Sequence, residues 1–147
     1  MDIDLGSGMD GIETAEMIVG RQENAHAIAL NPDSNLDILR DRVEQVARIA
    51  DTGQGILVLV DMFGGTPANA VASNLRSCSY QCLCGVNLPM LLEAFLQREQ
   101  MPLAELAIHV ENMACQSVVN LKIALERALH PPAPQAEHSS ASNTGEQ

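Results

Sequence analysis

One stretch restricts the fold more than any other: Gly55-Ile56-Leu57-Val58-Leu59-Val60-Asp61-Met62-Phe63-Gly64-Gly65-Thr66-Pro67-Ala68-Asn69. Its first half, Gly55 to Val60, is an uninterrupted apolar run in which Ile56, Val58 and Val60 alternate with leucines. A short apolar run with no polar face reads as a strand covered on both sides, the arrangement of a parallel sheet. The run stops at a carboxylate, Asp61. Gly64 and Gly65 then turn the chain, and Thr66 and Pro67 open a helix. Thr is a good N-cap, and Pro is favoured at the first helical position because the N–H it lacks would have no partner there. Strand end, glycine turn and helix start aim backbone N–H groups and the positive end of a helix at one spot, which suits an anion. Asp61 overhangs that spot from the carboxyl end of the strand, where open α/β sheets bind ligands. The plainer reading of Asp61 is a turn residue, since Asp is common in turns; the Gly-Gly-Thr-Pro run behind it favours the functional one.

The rest of the chain repeats this alternation. Gly11 to Val19 reads as a helix stopped by Gly20, and Ala25 to Leu30 as a short strand broken by Asn31-Pro32-Asp33. Ser34 is placed to cap a helix, with Asp37 three residues later in an approximate capping box. Leu36, Leu39, Val43, Val46, Ala47 and Ala50 then recur at helical spacing. Beyond the glycine turn, Ala68 to Leu75 is helical and Tyr80 to Val86 is a strand. Asn87 follows as a cap for the helix from Leu88 to Leu96, with Pro89 in its first turn. Leu103 to Leu129 reads as one long amphipathic helix. The expected fold class is α/β: a mainly parallel sheet with helices on both faces. Residues 1–130 form the expected domain. Residues 131–147, which open on Pro131-Pro132-Ala133-Pro134 and carry no apolar period, are expected to be a disordered tail or linker.

Composition narrows the function classes. At 147 residues one domain is favoured, and 46% hydrophobic residues suffice for a core, although 2% aromatics make that core aliphatic. A net charge of −11 argues against nucleic acid and anionic membrane, both of which need clustered Lys and Arg. No apolar run approaches a membrane span and no signal peptide is evident, which makes the cytoplasm the expected location. Cys78, Cys82, Cys84 and Cys115 form no C-x-x-C pair and are expected to be reduced, buried thiols. No metal site is expected, because the ligands and spacing it needs are missing.

Two segments together, Val60-Asp61-Met62-Phe63-Gly64-Gly65-Thr66-Pro67-Ala68-Asn69 and Gly85-Val86-Asn87-Leu88-Pro89-Met90-Leu91, resemble the IIA component of the mannose-type sugar phosphotransferase system. Ala15-Glu16-Met17-Ile18 resembles that family's first helix, and the likeness extends over roughly Leu5 to Leu129. The resemblance implies a cytoplasmic homodimeric phosphocarrier. A histidine receives phosphate from the histidine phosphocarrier protein and passes it to a IIB domain, which phosphorylates a sugar entering through membrane subunits. It implies no metal and no organic cofactor, and no insertion of this chain into the membrane. It implies further that Asp61 orients the imidazole and that Gly64, Gly65 and Thr66 cradle the phosphoryl group. Asn87, at the end of the next strand, caps its helix and can face the same site. Met62 and Phe63, apolar in a loop, either pack on a neighbouring loop or form a docking surface for a partner.

The chain departs from the family at one point. The family's first strand is an apolar run ending in His-Gly, and that His carries the phosphate. No His-Gly occurs here; the histidines are His26, His109, His130 and His138. The resemblance implies a strand order of 2-1-3-4, and the first of these strands is expected to be truncated. Two readings follow. One is a phosphocarrier whose genuine start lies upstream of Met1. The other is a truncated, catalytically inactive IIA-like dimer that acts as a binding or regulatory module. A flavodoxin-like nucleotide-binding domain is disfavoured, since no glycine turn follows a first strand and few aromatics are available to stack on a base.

Overall fold

The computed structural model describes residues 11–29, 35–74 and 79–130. Their elements run α1 (Gly11–Val19), α2 (Leu36–Ala50), β1 (Ile56–Val60), α3 (Thr66–Asn74), β2 (Tyr80–Cys84), α4 (Leu88–Gln97), α5 (Leu103–Ser117) and α6 (Leu121–Leu129). The central strand forms where the apolar run predicts it. β1 and β2 are parallel, in a register that pairs Ile56 with Tyr80 and Val60 with Cys84.

Side-chain alternation sends β1 to two cores. Ile56, Val58 and Val60 join Leu39, Val43 and Ala47 of α2 and Ala68, Ala70 and Val71 of α3 on one face. Leu57 and Leu59 pack on the other face against Met90 and Ala94 of α4 and Leu106 and Val110 of α5. The sheet thus has helices on both faces. Met90, Val71 and Val110 are its largest fully buried side chains. Each contributes roughly 1.5–3 kcal/mol of apolar burial, enough to hold the helices that carry the loops at the strand ends. α1 packs on α4, and Arg98 Nη1 donates to the Glu23 carbonyl at 2.8 Å, fastening the segment after α1 to the end of α4.

Several local expectations need correction. The described part of the expected Ala25–Leu30 strand, residues 25–29, forms no ladder. A strand is completed by its partner, and among the described residues only β1 and β2 pair; Ile28 still packs on the α2–α3 core. Ile56 to Leu59 are half-buried rather than buried, and Val60 is the one buried residue of β1. The expected helix over 103–129 is two helices. Val118, 83% exposed, is extended, and Asn120 caps α6 by accepting the Ile123 N–H at 3.2 Å. β-Branched residues lose rotamer freedom in a helix, and Asn favours a cap over an interior position. Thirdly, α2 is capped by Asn35, whose Oδ1 accepts the Ile38 N–H at 2.8 Å; Ser34 lies outside the described residues. Finally, the α3 cap lies one residue before Thr66. The Asn69 N–H donates to the Gly65 carbonyl at 3.0 Å, which makes Thr66 and Pro67 the first two helical residues.

Among the described residues no helix is long and apolar enough to cross a membrane. Cys82, Cys84 and Cys115 are free thiols, yet Cys82 is only half-buried and the other two are exposed, against the expectation of burial. Cys84 ends β2, and Cys115 lies on the exposed side of α5. Cys78, His138 and the 131–147 segment fall outside the described residues, as do Met1–Asp10.

Candidate functional site

The carboxyl ends of β1 and β2 are tied together beyond the last paired residues. The Gly85 N–H donates to the Val60 carbonyl at 2.9 Å and to the Asp61 carbonyl at 3.1 Å, and the Val86 N–H reaches Val60 at 3.0 Å. These bonds bring the loop that ends in Asn87 beside the turn that begins at Asp61. Asn87 caps α4: its Oδ1 accepts the Met90 N–H at 3.1 Å, and Pro89 lies in the first turn. Two helix N-termini, those of α3 and α4, therefore start from the same end of the sheet.

The turn itself is built by hydrogen bonds that the side chains specify. Asp61 is exposed, and its Oδ1 accepts the Met62 N–H at 2.8 Å, which folds the chain back as it leaves β1. The Gly65 N–H donates to the Met62 carbonyl at 3.3 Å. Gly64 has φ +78°, a conformation that a side chain disfavours. A Cβ on Gly65 would sit 3.3 Å from the Met62 oxygen, a tight contact that favours glycine by close approach rather than by dihedral. Asn69 Nδ2 donates to the Gly64 carbonyl at 3.3 Å, bracing the turn from the first turn of α3. The Thr66 and Ala68 N–H groups precede the first intrahelical bond of α3 and so lack acceptors within it, while Pro67 has no N–H to place. The turn presents donors and a positive helix end toward solvent, with the Asp61 carboxylate beside them.

Of the residues singled out in the sequence, Asp61, Gly64, Gly65 and Thr66 lie in one continuous turn, and Asn87 is brought alongside by the Gly85–Val86 bonds. Met62 is 62% and Phe63 89% exposed, so Phe63 does not pack on a neighbouring loop. Asn69 and Gly85 were not singled out. The signal for Asn69 was its place four residues after Gly65, one helical turn on; the contacts of Gly85 depend on strand register and leave no mark in the sequence. His109 is not idle: its Nε2 lies 2.9 Å from Glu93 Oε2, a half-buried pair linking α5 to α4. His130 terminates α6, and His26 is exposed. An open groove of about 350 Å³ between α4 and α5 is lined by Pro89, Leu92, Glu93, Met113, Gln116 and Ser117, none of them turn residues. No group of three or more His, Cys, Asp or Glu among the described residues could hold a metal ion.

A parallel sheet between helical layers, with a glycine turn and two helix N-termini at its carboxyl end, defines an α/β protein of the kind whose ligand sites lie at the carboxyl ends of the strands. A sequence model of the family described as "PTS system fructose IIA component" matches residues 5–111. The chain belongs to this family, the mannose-type IIA components of the sugar phosphotransferase system. It is 34% identical to the "PTS system fructose-specific EIIA component" of Bacillus subtilis over 106 residues, covering 71% of this chain and 73% of that one. It is 37% identical over 92 residues to the "PTS system mannose-specific EIIAB component" of Escherichia coli, covering 62% of this chain but only 28% of that longer protein. The chain therefore spans just over a quarter of the length of that relative. Among solved structures, a phosphotransferase system component EIIA from Streptococcus agalactiae superposes with a TM-score of 0.70 at 26% identity, covering 77% of this chain and 88% of its own.

Proposed function

We propose that this chain carries the phosphoryl-binding turn of a IIA domain that, with the family's acceptor His-Gly in place, relays phosphate from the histidine phosphocarrier protein to a IIB domain during sugar uptake. The observation that carries the proposal is the turn from Asp61 to Thr66, with Asn87 tied beside it by Gly85 and Val86. The turn supplies uncommitted N–H donors at a helix N-terminus, and a phosphoryl group carries the charge such a site favours. Its roles divide as follows. Asp61 accepts from the ring of the phospho-acceptor histidine and sets its orientation. Gly64 and Gly65 let the backbone approach the phosphoryl oxygens, and Thr66 adds its N–H and hydroxyl. Asn87 has its Oδ1 committed to the α4 cap and contributes its amide NH₂. Met62 and Phe63 form the apolar contact for the two partner proteins, between which the group passes as a phosphotransferase step with no further cofactor. The domain covers residues 1–130, works as a cytoplasmic homodimer, and carries residues 131–147 as a linker or tail. The relatives are named for mannose and for fructose, so membership of the family does not select the sugar.

The second reading is an inactive IIA-like dimer serving as a binding or regulatory module. It is favoured by a specific sequence feature, the lack of any His-Gly. One experiment separates the two. The chain is incubated with the phosphorylated histidine phosphocarrier protein, and acid-labile, alkali-stable phosphate is counted. The chain as given is expected to remain unlabelled. A version preceded by an apolar strand ending in His-Gly is expected to label stoichiometrically, and Asp61→Ala in that version to slow transfer. Loss of a charge-assisted contact worth about 1.5–3 kcal/mol corresponds to roughly 10- to 150-fold. An extended version that stays unlabelled refutes the carrier reading, and labelling of His26, His109, His130 or His138 refutes the assigned site.

A further inference from the structure

The glycine turn contains two adjoining peptide units, Gly64–Gly65 and Gly65–Thr66, and one residue holds the carbonyl of each. Asn69 Nδ2 donates to the Gly64 carbonyl at 3.3 Å, and the Asn69 backbone N–H donates to the Gly65 carbonyl at 3.0 Å. A trans peptide unit is planar, and its C=O and N–H point opposite ways. Drawing both carbonyls toward the first turn of α3 therefore sends the Gly65 and Thr66 N–H groups the other way. The Met62 carbonyl takes the Gly65 N–H at 3.3 Å. The Thr66 N–H precedes the first intrahelical bond and is left for a ligand.

The two bonds from Asn69 are not equivalent. The backbone bond survives any replacement except proline, whereas the side-chain bond depends on the amide. The peptide unit held by that amide is also the one most free to turn over. A flip rotates ψ of Gly64 and φ of Gly65, and glycine opens both senses of rotation at little steric cost. Gly64 already stands at φ +78°. A flipped unit loses the bond from Gly65 to Met62 and puts the Gly64 oxygen on the side that the Thr66 N–H faces. A carbonyl oxygen there repels the anion that the N–H attracts.

We propose that Asn69 is a positioning residue: its side-chain amide locks the Gly64–Gly65 peptide so that the phosphoryl side of the turn shows N–H groups and no carbonyl. It acts through the backbone and need not touch the phosphoryl group. Residues of similar or smaller size do not replace it. An ionised Asp offers the Gly64 carbonyl a second acceptor in place of a donor, and Ala offers neither. The consequence for phosphate rests on the phosphocarrier reading; the lock itself does not.

The test compares the ¹⁵N-labelled full chain with Asn69→Ala and Asn69→Asp. N–H residual dipolar couplings report the direction of each amide, and a thermal melt is recorded beside them. Asn69 is exposed, so neither variant opens the core. Ala is the better helix former, and an acid in the first turn suits the helix dipole, so neither should lower the melting temperature. The expected result is that the Gly65 and Thr66 couplings change in both variants while those of Ala70 and Val71 stay. Titration with inorganic phosphate, followed at the Thr66 and Ala68 amides, is expected to show affinity about 2- to 10-fold weaker in Asn69→Ala, the effect of one hydrogen bond. Unchanged Gly65 and Thr66 couplings overturn the proposal, as does equal phosphate affinity in the parent and Asn69→Ala. Couplings altered throughout α3 together with a lower melting temperature also overturn it, because the role is then one of helix stability. Phosphate that leaves Thr66 and Ala68 of the parent unmoved refutes the anion site, while the couplings still decide the lock.

Discussion

Gly55 precedes the central strand, and replacing it with alanine tests how tightly that strand's position is specified. The backbone there has φ +85°. An added Cβ would lie 2.6 Å from Leu103 Cδ2 and 2.6 Å from the Ser79 carbonyl oxygen. The left-handed conformation costs about 1–2 kcal/mol for a residue with a Cβ. Leu103 can swing aside at about 0.5–1.5 kcal/mol. Ser79 cannot, because its carbonyl accepts the Ile56 N–H at 3.0 Å, the first bond joining the two strands. Displacing it weakens that bond, for another 0.5–1.5 kcal/mol or so. The sum is about 3 kcal/mol. Gly53 is the internal control: its φ is +100°, and nothing lies within 4 Å of an added Cβ, so Gly53→Ala carries only the conformational cost. Urea unfolding followed by circular dichroism is expected to place Gly55→Ala roughly 1–3 kcal/mol below Gly53→Ala. At about 2–4 °C per kcal/mol for a chain of this size, Gly55→Ala should melt about 6–12 °C below the parent. Equal stability of the two variants would refute the close approach of Gly55 to Ser79 and Leu103.

Three further outcomes are expected. Asn87→Ala removes the α4 cap and should cost about 0.5–2 kcal/mol of stability in the same unfolding assay. Phe63→Ala should leave the melting temperature unchanged, because the side chain is 89% exposed, yet weaken binding to the histidine phosphocarrier protein by roughly 1 kcal/mol or more in calorimetry. Stability should fall as pH rises through Cys82: the folded thiol, held at about 11 against 9.0, keeps its proton where the unfolded one has lost it. The folded state then binds more protons between about pH 9 and 11, so the contribution present below pH 9 is lost across that window and the slope is negative; Cys82→Ala should flatten it.

The elements legible in the sequence are those whose determinants are local. Ile56 to Val60 declares a strand by composition, and the Asp61–Thr66 turn by its glycines. Asn87 declares the α4 cap by position. The elements that were misread depend on something further along or further away. Asn35 and the neighbouring Ser34 are both competent caps, and local patterning did not choose between them. Val118 and Val119 interrupt a helical period that resumes at Leu121, so the apolar pattern runs on through a break that the backbone does not bridge. Residues 25–29 have strand composition, but a strand needs a ladder, and β1 pairs with β2 alone among the described residues. The candidate site was half legible: its residue types stood in one motif, while the bracing by Asn69 and the clamp by Gly85 follow from register and helix placement.

The central claim is that phosphoryl exchange takes place at the Asp61–Thr66 turn. The most direct measurement is amide chemical-shift mapping of the ¹⁵N-labelled chain, titrated with the phosphorylated and then the unphosphorylated histidine phosphocarrier protein. The account predicts that the largest shifts fall on Met62 to Thr66 and Gly85 to Asn87, with the Thr66 and Ala68 amides responding more strongly to the phosphorylated partner. Shifts confined to α2, or to the groove between α4 and α5, with the turn unmoved, would contradict it.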